Sequence, residues 1–294
     1  MIEISVVIGT YNLKDKLSLV LDSLSHQTLN PSVFEVIIVD SNSNDGTDNL
    51  CTNNKYPFLL KYIKQDNKGK TAARNRGIRE ASSELILITD ADMIADKRLL
   101  EEHINLQKKH KKNIIIEGKT YVLTDEKLPA KNHIRRPYIT HKVKHEQKLD
   151  FYYCLTGNLS MPKHFFEQAN YFDEKFQNYG WEDIDLGYRL KKMNKKIIFS
   201  ERAINYHYHV WSDYEEIIRR QKMGESVHII IQKHPKLKTF LGVNIVNKMI
   251  FLFGRSYPKL IQNWLEQIKQ EKTSKIKKIL LREFYFQKGY FKNN

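Results

Sequence analysis

Leu85-Ile86-Leu87-Ile88-Thr89-Asp90-Ala91-Asp92 joins a four-residue aliphatic run to two acids separated by one small residue. Four aliphatics are too few for a membrane span and fit a strand buried on both faces, which places the acids at its carboxyl end. In an open parallel sheet, the loops leaving the carboxyl ends of the strands form the ligand crevice. Alternate strand residues share a face, so Asp90 and Asp92 can aim two carboxylates the same way. Two such anions repel unless a cation lies between them, and hard carboxylate oxygens suit Mg²⁺ or Mn²⁺ shared with substrate phosphates. A solvated acidic turn would give the same letters, so the surrounding chain has to decide.

Outward from this strand the same alternation recurs. Ile4 to Thr10 predicts a strand that turns at Tyr11, and Leu17, Val20, Leu21 and Leu24 follow at helical spacing. Val36 to Val39 predicts a second strand, ending at Asp40 and a loop of turn formers that runs to Thr47. Phe58 to Ile63 predicts a third, and Asn67-Lys68-Gly69-Lys70-Thr71 leads into a helix bearing Ala72, Ala73, Arg74 and Ile78. Beyond the acids, Leu99, Leu100, His103 and Leu106 predict a helix, and residues 113–123 return as strand. Strands alternating with helices of this length imply an α/β fold with a doubly wound, mostly parallel sheet.

Each predicted strand exit carries polar residues: Thr10 and Tyr11, Asp40, and Asp90 with Asp92. A nucleotide needs an acceptor for the base edge, a flat wall, and a metal with cations for its phosphates. Asp40, Tyr11, Asp90 and Asp92, with Lys70 and Arg74, supply those parts. Helix capping by Asp40 and a surface ion pair for Arg74 remain the plain alternatives. No Gly-x-Gly-x-x-Gly follows the first strand and no Gly-x-x-x-x-Gly-Lys occurs, which argues against dinucleotide and P-loop ATP sites.

Residues 125–150 lack apolar periodicity, hold Pro129 and Pro137, and read as a mobile, exposed basic loop able to cover a substrate. Their histidines, His133, His141 and His145, match no helix-face ligand pair. Further on, Gly180-Trp181-Glu182-Asp183 precedes Leu186, Leu190 and Met193 on one helical face, putting both acids in the first turn. The helix dipole keeps carboxylates ionised there, so capping accounts for them as well as chemistry does. Beside them, Trp181 is an amphipathic plate suited to a sugar, and the Glu-Asp pair offers an acceptor ligand and a general base. Ile197 to Phe199 and Ala203 to Tyr208 read as two short strands ending in His207-Tyr208-His209, where one histidine could ligate a metal.

The chain has 294 residues and a net charge of +15, with 41% hydrophobic and 28% charged residues, as in a globular protein with a sizeable core. The charge implies a polyanionic neighbour without choosing one. Cys51 and Cys154 have neither disulfide-framework nor zinc spacing and are expected reduced. No leader pattern or long apolar run is visible, so the expected location is cytoplasmic. Residues 212–294 hold 17 Lys/Arg against 7 Asp/Glu, mixed with aliphatic and aromatic residues, and read as basic amphipathic helices. Docking at an anionic membrane surface, homo-oligomer contact, or a plain helical appendage would each use them.

Taken together, these motifs resemble glycosyltransferase family 2 enzymes of the GT-A fold, over roughly residues 3–210. Ser5 to Asn12, Val39-Asp40-Ser41 with Asp45-Gly46-Thr47, and Lys70 to Gly77 look like that family's nucleotide-binding half, and Asp90-Ala91-Asp92 like its Asp-x-Asp motif. Thr156-Gly157-Asn158, Phe172-Asp173-Glu174, Trp181-Glu182-Asp183 and His207 are similar to the galactosyltransferase and chondroitin-polymerase-like branch.

The resemblance implies a catalytic domain over 1–211, and composition reads 212–294 as the helical region that follows it. It implies a donor site of Thr10, Tyr11, Asp40, Lys70, Arg74, Asp90, Ala91 and Asp92, with Mn²⁺ or Mg²⁺ held by Asp92 and His207, His209 competing for the latter place. Gly157, Asn158, Trp181 and Glu182 would bind the acceptor, and Asp183 would be the base. The expected reaction moves a sugar from a UDP-sugar to a glycan, lipid-linked sugar or peptide, with inversion if Asp183 is that base. The rival expectation is an inactive GT-A-like protein that binds polyanions or membranes through its basic C-terminal region. Nucleic acid is not an expected partner.

Overall fold

A computed structural model describes residues 1–123, 134–137 by their backbone, 143–177, 180–208, 212–270 and 274–292. The chain divides into two compact units, Met1–Glu174 with Glu182–Val210, and Lys175–Trp181 with Trp211–Asn294.

In the first unit the elements run β1 (Ile4–Thr10), α1 (Lys14–Ser25), β2 (Phe34–Asp40), α2 (Thr47–Asn53), β3 (Leu59–Lys64), α3 (Lys70–Glu80) and β4 (Leu85–Asp90). They continue with β5 (Met93–Ala95), α4 (Leu99–Lys109), β6 (Ile115–Leu123), β7 (Ile134–Pro137), β8 (Lys148–Leu149), β9 (Asn158–Pro162), α5 (Lys163–Gln168), α6 (Glu182–Lys192) and β10 (Ile197–His207). One sheet has the order β3-β2-β1-β4-β9-β6-β10-β5. Strands β3, β2, β1 and β4 are parallel, β9 runs against both β4 and β6, and β6 and β10 are again parallel. The α/β fold expected from the alternation is therefore present, with one reversed strand dividing two parallel groups.

The period of two sorts each strand between two cores. Ile86 and Ile88 of β4 join Ala73 and Ile78 of α3, Phe165 and Phe166 of α5, and Leu186 and Leu190 of α6. Leu85 and Leu87 face the other way, onto Leu17, Val20 and Leu21 of α1 and Leu99, Leu100 and Ile104 of α4. Both faces of the sheet are covered, which is why these strands carry no polar alternation. Helix α3 lies unusually close: a Cβ at Gly77 would stand 2.4 Å from Val7 Cγ1 and 3.3 Å from Val39 Cγ2. That contact fixes where the amino end of α3, with Lys70 and Arg74, lies along the strand ends.

Two readings change. The segment 125–150 is not loop throughout: β7 pairs with β6, and β8 with β10. His133 and His141 lie outside the described residues, as does any lid built on residues 124–133 and 138–142. Residues 197–207 form one strand rather than two, its register against β6 slipping between Ser200 and Ile204, where the Ser200 hydroxyl accepts from Ala203 N at 3.1 Å.

The second unit holds α7 (Asp213–Lys233), α8 (Ile245–Ser256), α9 (Pro258–Lys269) and α10 (Lys275–Tyr290). Helix α7 opens with a reciprocal Ser212/Glu215 capping box. Ile217, Ile261, Ile268, Leu281 and Phe284 form its core. Among the described residues, no helix is long and apolar enough to cross a membrane.

Candidate active site

The carboxyl ends of β1 and β2 are tied together by their loops. Asp40, fully buried, accepts from Ser43 N at 3.0 Å and Ser43 Oγ at 2.6 Å through Oδ1, and from the Tyr62 hydroxyl at 2.7 Å through Oδ2. Ser43 Oγ in turn accepts from Asn12 N at 2.8 Å, joining this loop to the β1 exit. The carboxylate expected to face a base thus already makes three hydrogen bonds inside its own sheet edge. Tyr11 is half-exposed at the same edge, whereas Thr10 is buried. Thr10 Oγ1 has no hydrogen-bond partner among the described residues.

The β4 exit is built differently. Arg74, its side chain 1% exposed, places Nη2 2.6 Å from Asp90 Oδ1 and Nη1 3.4 Å from Asp183 Oδ1 and 3.5 Å from Glu182 Oε1. Lys70 Nζ lies 2.6 Å from the same Glu182 oxygen. One guanidinium therefore joins the acidic strand exit to the first turn of α6. Helix α6 can reach it because Gly187 packs against the backbone of Phe151, where a Cβ would come within 2.2 Å of the Phe151 oxygen. Thr156, in the segment between Phe151 and β9, donates its hydroxyl to Asp183 Oδ1 at 2.8 Å.

Asp183 and Glu182 are neighbours with opposite electrostatics. Burial, and then the negative charge of Glu182, push the Asp183 carboxyl up to about 6 against the pull of Arg74 and Lys70. Burial also works against ionised Glu182, but Lys70 and Arg74 outweigh it and hold Glu182 below the usual carboxylate value. Asp90 is likewise held down, with Arg74 and Lys70 overcoming its burial. Glu182 Oε2 is buried without a hydrogen-bond partner among the described residues.

Asp92 follows buried Ala91 and enters β5, a strand too short to be read from the sequence. Strand β5 pairs antiparallel with β10, with Met93 opposite His207, and Tyr208 N donates to the Asp92 carbonyl at 2.8 Å. This pairing brings Asp92 Oδ2 to 3.3 Å from His207 Nε2. Two cis ligands of a divalent ion, each about 2.1 Å from it, stand about 3 Å apart, so the pair fits one ion. No group of three or more such ligands occurs among the described residues. Three carboxylates, Asp90, Glu182 and Asp183, share two cations, Lys70 and Arg74, and Asp92 lies two residues from Asp90 beside His207, an excess of acids that favours a divalent cation. His209 lies outside the described residues.

The residues expected at the acceptor are placed less uniformly. Asn158 is 1% exposed: its Oδ1 meets His103 Nε2 at 2.8 Å and its amide donates to the Ala203 carbonyl at 3.0 Å. It is a core residue, and its expected acceptor contact is corrected, because a buried amide with saturated partners has nothing to offer a ligand. Gly157 offers its carbonyl to Thr89 Oγ1 and Asn205 Nδ2 at 2.9 and 2.6 Å. Trp181 has a positive φ of 78° and, within the second unit, donates Nε1–H to the Met223 carbonyl at 2.8 Å while packing edge-on against Phe286. The indole N–H is engaged there.

Three contributors had no separate signal. Thr156 orients Asp183, a role that its place in Thr156-Gly157-Asn158 does not reveal. Asn75 clamps the Phe172-Asp173-Glu174 stretch, bonding Phe172 N and O and Glu174 Oε1, each at 2.9 Å. Glu117, buried on β6, accepts from Leu155 N at 3.1 Å, and burial raises its carboxyl well above the ordinary value.

Comparison with known proteins gives the family and the fold. Residues 5–168 match the family described as glycosyl transferase family 2, and residues 137–212 match the N-terminal domain of galactosyltransferase. A chondroitin synthase of Pasteurella multocida (strain Pm70) is 27% identical, with 64% of this chain and 23% of that protein aligned. A validoxylamine A glucosyltransferase of Streptomyces hygroscopicus subsp. limoneus is 25% identical over 92% of this chain and 65% of that protein. The chain thus covers less than two thirds of the length of either relative. Residues 1–349 of S. aureus TarS, solved in complex with UDP, superpose with a TM-score of 0.59 at 16% identity, covering 100% of this chain and 92% of that one. The mannosyltransferase PcManGT from Pyrobaculum calidifontis, solved with GDP-Man and Mn²⁺, superposes at 0.61 and 16% identity, covering 99% and 86%. These likenesses bear on the GT-A fold alone. The match over residues 5–168 takes in more than half of the chain, which belongs to glycosyl transferase family 2.

Proposed function

We propose that this member of glycosyl transferase family 2 transfers a sugar from a nucleoside diphosphate sugar to an acceptor hydroxyl with inversion, using residues 1–211 as its catalytic domain. The observation that carries the reading is the single guanidinium of Arg74, which gathers Asp90 of the donor-side motif with Glu182 and Asp183 of the acceptor-side motif. In one in-line displacement the acceptor oxygen bonds to the anomeric carbon, the bond from that carbon to the phosphate oxygen breaks, and the nucleoside diphosphate leaves with its electrons. Asp183 takes the proton from the acceptor hydroxyl. Thr156 and Arg74 orient its carboxylate, and its raised affinity for a proton suits a base working near neutral pH.

Asp92 and His207 would hold Mn²⁺ or Mg²⁺, which when bound acts as a Lewis acid toward the charge developing on the diphosphate. Glu182 keeps Lys70 and Arg74 in place, and its buried Oε2, without a hydrogen-bond partner among the described residues, would accept from an acceptor hydroxyl that reaches it. A uridine diphosphate donor is favoured by the complex of the TarS neighbour with UDP, and a divalent metal by the Mn²⁺ of the PcManGT complex. The test is nucleotide release from a panel of UDP- and GDP-sugars with Mn²⁺, alongside thermal shift with the same donors. Neither release nor a donor-dependent rise in melting temperature with any donor would overturn the reading.

A further inference from the structure

Helix α8 exposes the side chains a core would ordinarily claim. Ile245 is 70% exposed and Met249 63%, and Val246, Leu252, Phe253 and, just past the helix, Tyr257 are also exposed. Their spacing places them along one side of the helix. Met249 and Phe253 also line a cavity of about 330 Å³ whose other walls include Ile261, Trp264, Leu280 and Phe284, so the apolar face runs inward without a polar lining residue. Apart from the Tyr257 hydroxyl, these side chains carry no hydrogen-bonding group beyond the Trp264 N–H. An exposed apolar patch of this kind marks an interaction surface.

The charge of the segment that carries it names the occupant. Between Glu225 and Glu266 the chain has no Asp or Glu but six Lys/Arg: Lys233, Lys236, Lys238, Lys248, Arg255 and Lys259. Lys248 and Arg255 stand on α8 itself, exposed. Glu283, hydrogen-bonded to Asn247 at 3.0 Å, is the carboxylate that reaches this helix from α10. A second copy of the chain would set this cationic rim against itself, and like charges at close range repel. An anionic surface that is also apolar underneath satisfies both properties. Twelve residues of helix span about 18 Å, short of the roughly 30 Å of a bilayer core, so such a helix lies in the interface and does not cross. We infer that the α8 face is a docking surface for an anionic lipid bilayer, with Ile245, Met249, Leu252 and Phe253 entering the acyl boundary and Lys248 and Arg255 meeting the headgroups. This inference is independent of the catalytic reading.

The experiment is flotation of the full chain with vesicles of phosphatidylcholine containing about one third phosphatidylglycerol, against phosphatidylcholine alone, at two salt concentrations. The expected result is binding to the anionic vesicles that weakens with salt. The double variant Met249→Glu/Phe253→Glu should abolish it, and Lys248→Glu/Arg255→Glu should weaken partitioning at least tenfold, since each basic residue near such a surface contributes about fivefold. All four side chains are exposed, and an unchanged thermal melt verifies the fold of each variant. No binding of the wild-type chain to anionic vesicles, or binding that survives Met249→Glu/Phe253→Glu, overturns the proposal. So does concentration-dependent self-association that Met249→Glu/Phe253→Glu removes, which would assign the face to a second copy.

Discussion

Asp40 ends β2 and Asp90 ends β4, with only β1 between them in the sheet. Asp40 is closed in by three hydrogen-bond donors from Ser43 and Tyr62, with no cation paired to it among the described residues. Asp90 is partly exposed and shares Arg74 with the α6 carboxylates, two residues before an Asp92 that faces His207. Equivalent positions on one sheet edge therefore hold a carboxylate that shapes its own loop and carboxylates poised toward a ligand. An acid at a strand end acquires chemistry from what the tertiary fold brings opposite it.

The sharpest break of that contrast lies at Asp183. Replacing it, Asp183→Asn, keeps the Thr156 contact possible and removes the charged base, so turnover should fall about 10²- to 10⁴-fold while UDP with Mn²⁺ still binds. Near-normal turnover would reduce the acids of α6 to helix caps. Next in size is Asp92→Ala, which should lower the Mn²⁺-dependent affinity for UDP at least tenfold, on the scale of lost metal ligation, with the melting temperature preserved. Calorimetry showing the same affinity with and without the substitution would return Asp90-Ala91-Asp92 to an ordinary turn.

The pH profile comes third. A base that must be ionised loses rate as pH falls through its pKa, so kcat should drop about tenfold per unit below about 6. Because burial and Glu182 raise the Asp183 pKa, Glu182→Gln should move that limb to lower pH; an upward move would contradict the stated cause. Stability runs the opposite way with pH. An acid whose folded pKa exceeds its unfolded value binds more protons in the native state, so its contribution to stability is highest at low pH and lost as pH rises from about 4 to about 6. Asp183→Asn should flatten that segment of the curve.

The smallest effect belongs to the β2 exit. Asp40→Ala strands the buried Ser43 donors and removes the partner of the partly buried Tyr62 hydroxyl, a loss of about 1–3 kcal/mol. It should lower the melting temperature by several degrees and shift UDP affinity less than Asp92→Ala does. A collapse of UDP binding at unchanged melting temperature would erase the distinction between the two exits.

Much of this arrangement is legible in the residues. The aliphatic runs of β1, β2 and β4 and the helical spacing of α1, α3, α4 and α6 specify the layered α/β fold, because periods of two and 3.6 report which faces are buried. The motifs at the strand exits also locate the site, since side chains there need not fill a core. Other features depend on partners distant in the chain. A three-residue β5 has no period to read, yet its pairing with β10 is what sets Asp92 beside His207. Asn158 looks like its motif neighbours, and it is buried because His103, 55 residues earlier, meets its side chain. Trp181 offered an aromatic plate, but Met223 and Phe286 engage it. Local pattern records the choice between core and surface, whereas hydrogen-bond partners and shifted proton affinities arise from contacts between segments far apart in sequence, which no local period encodes.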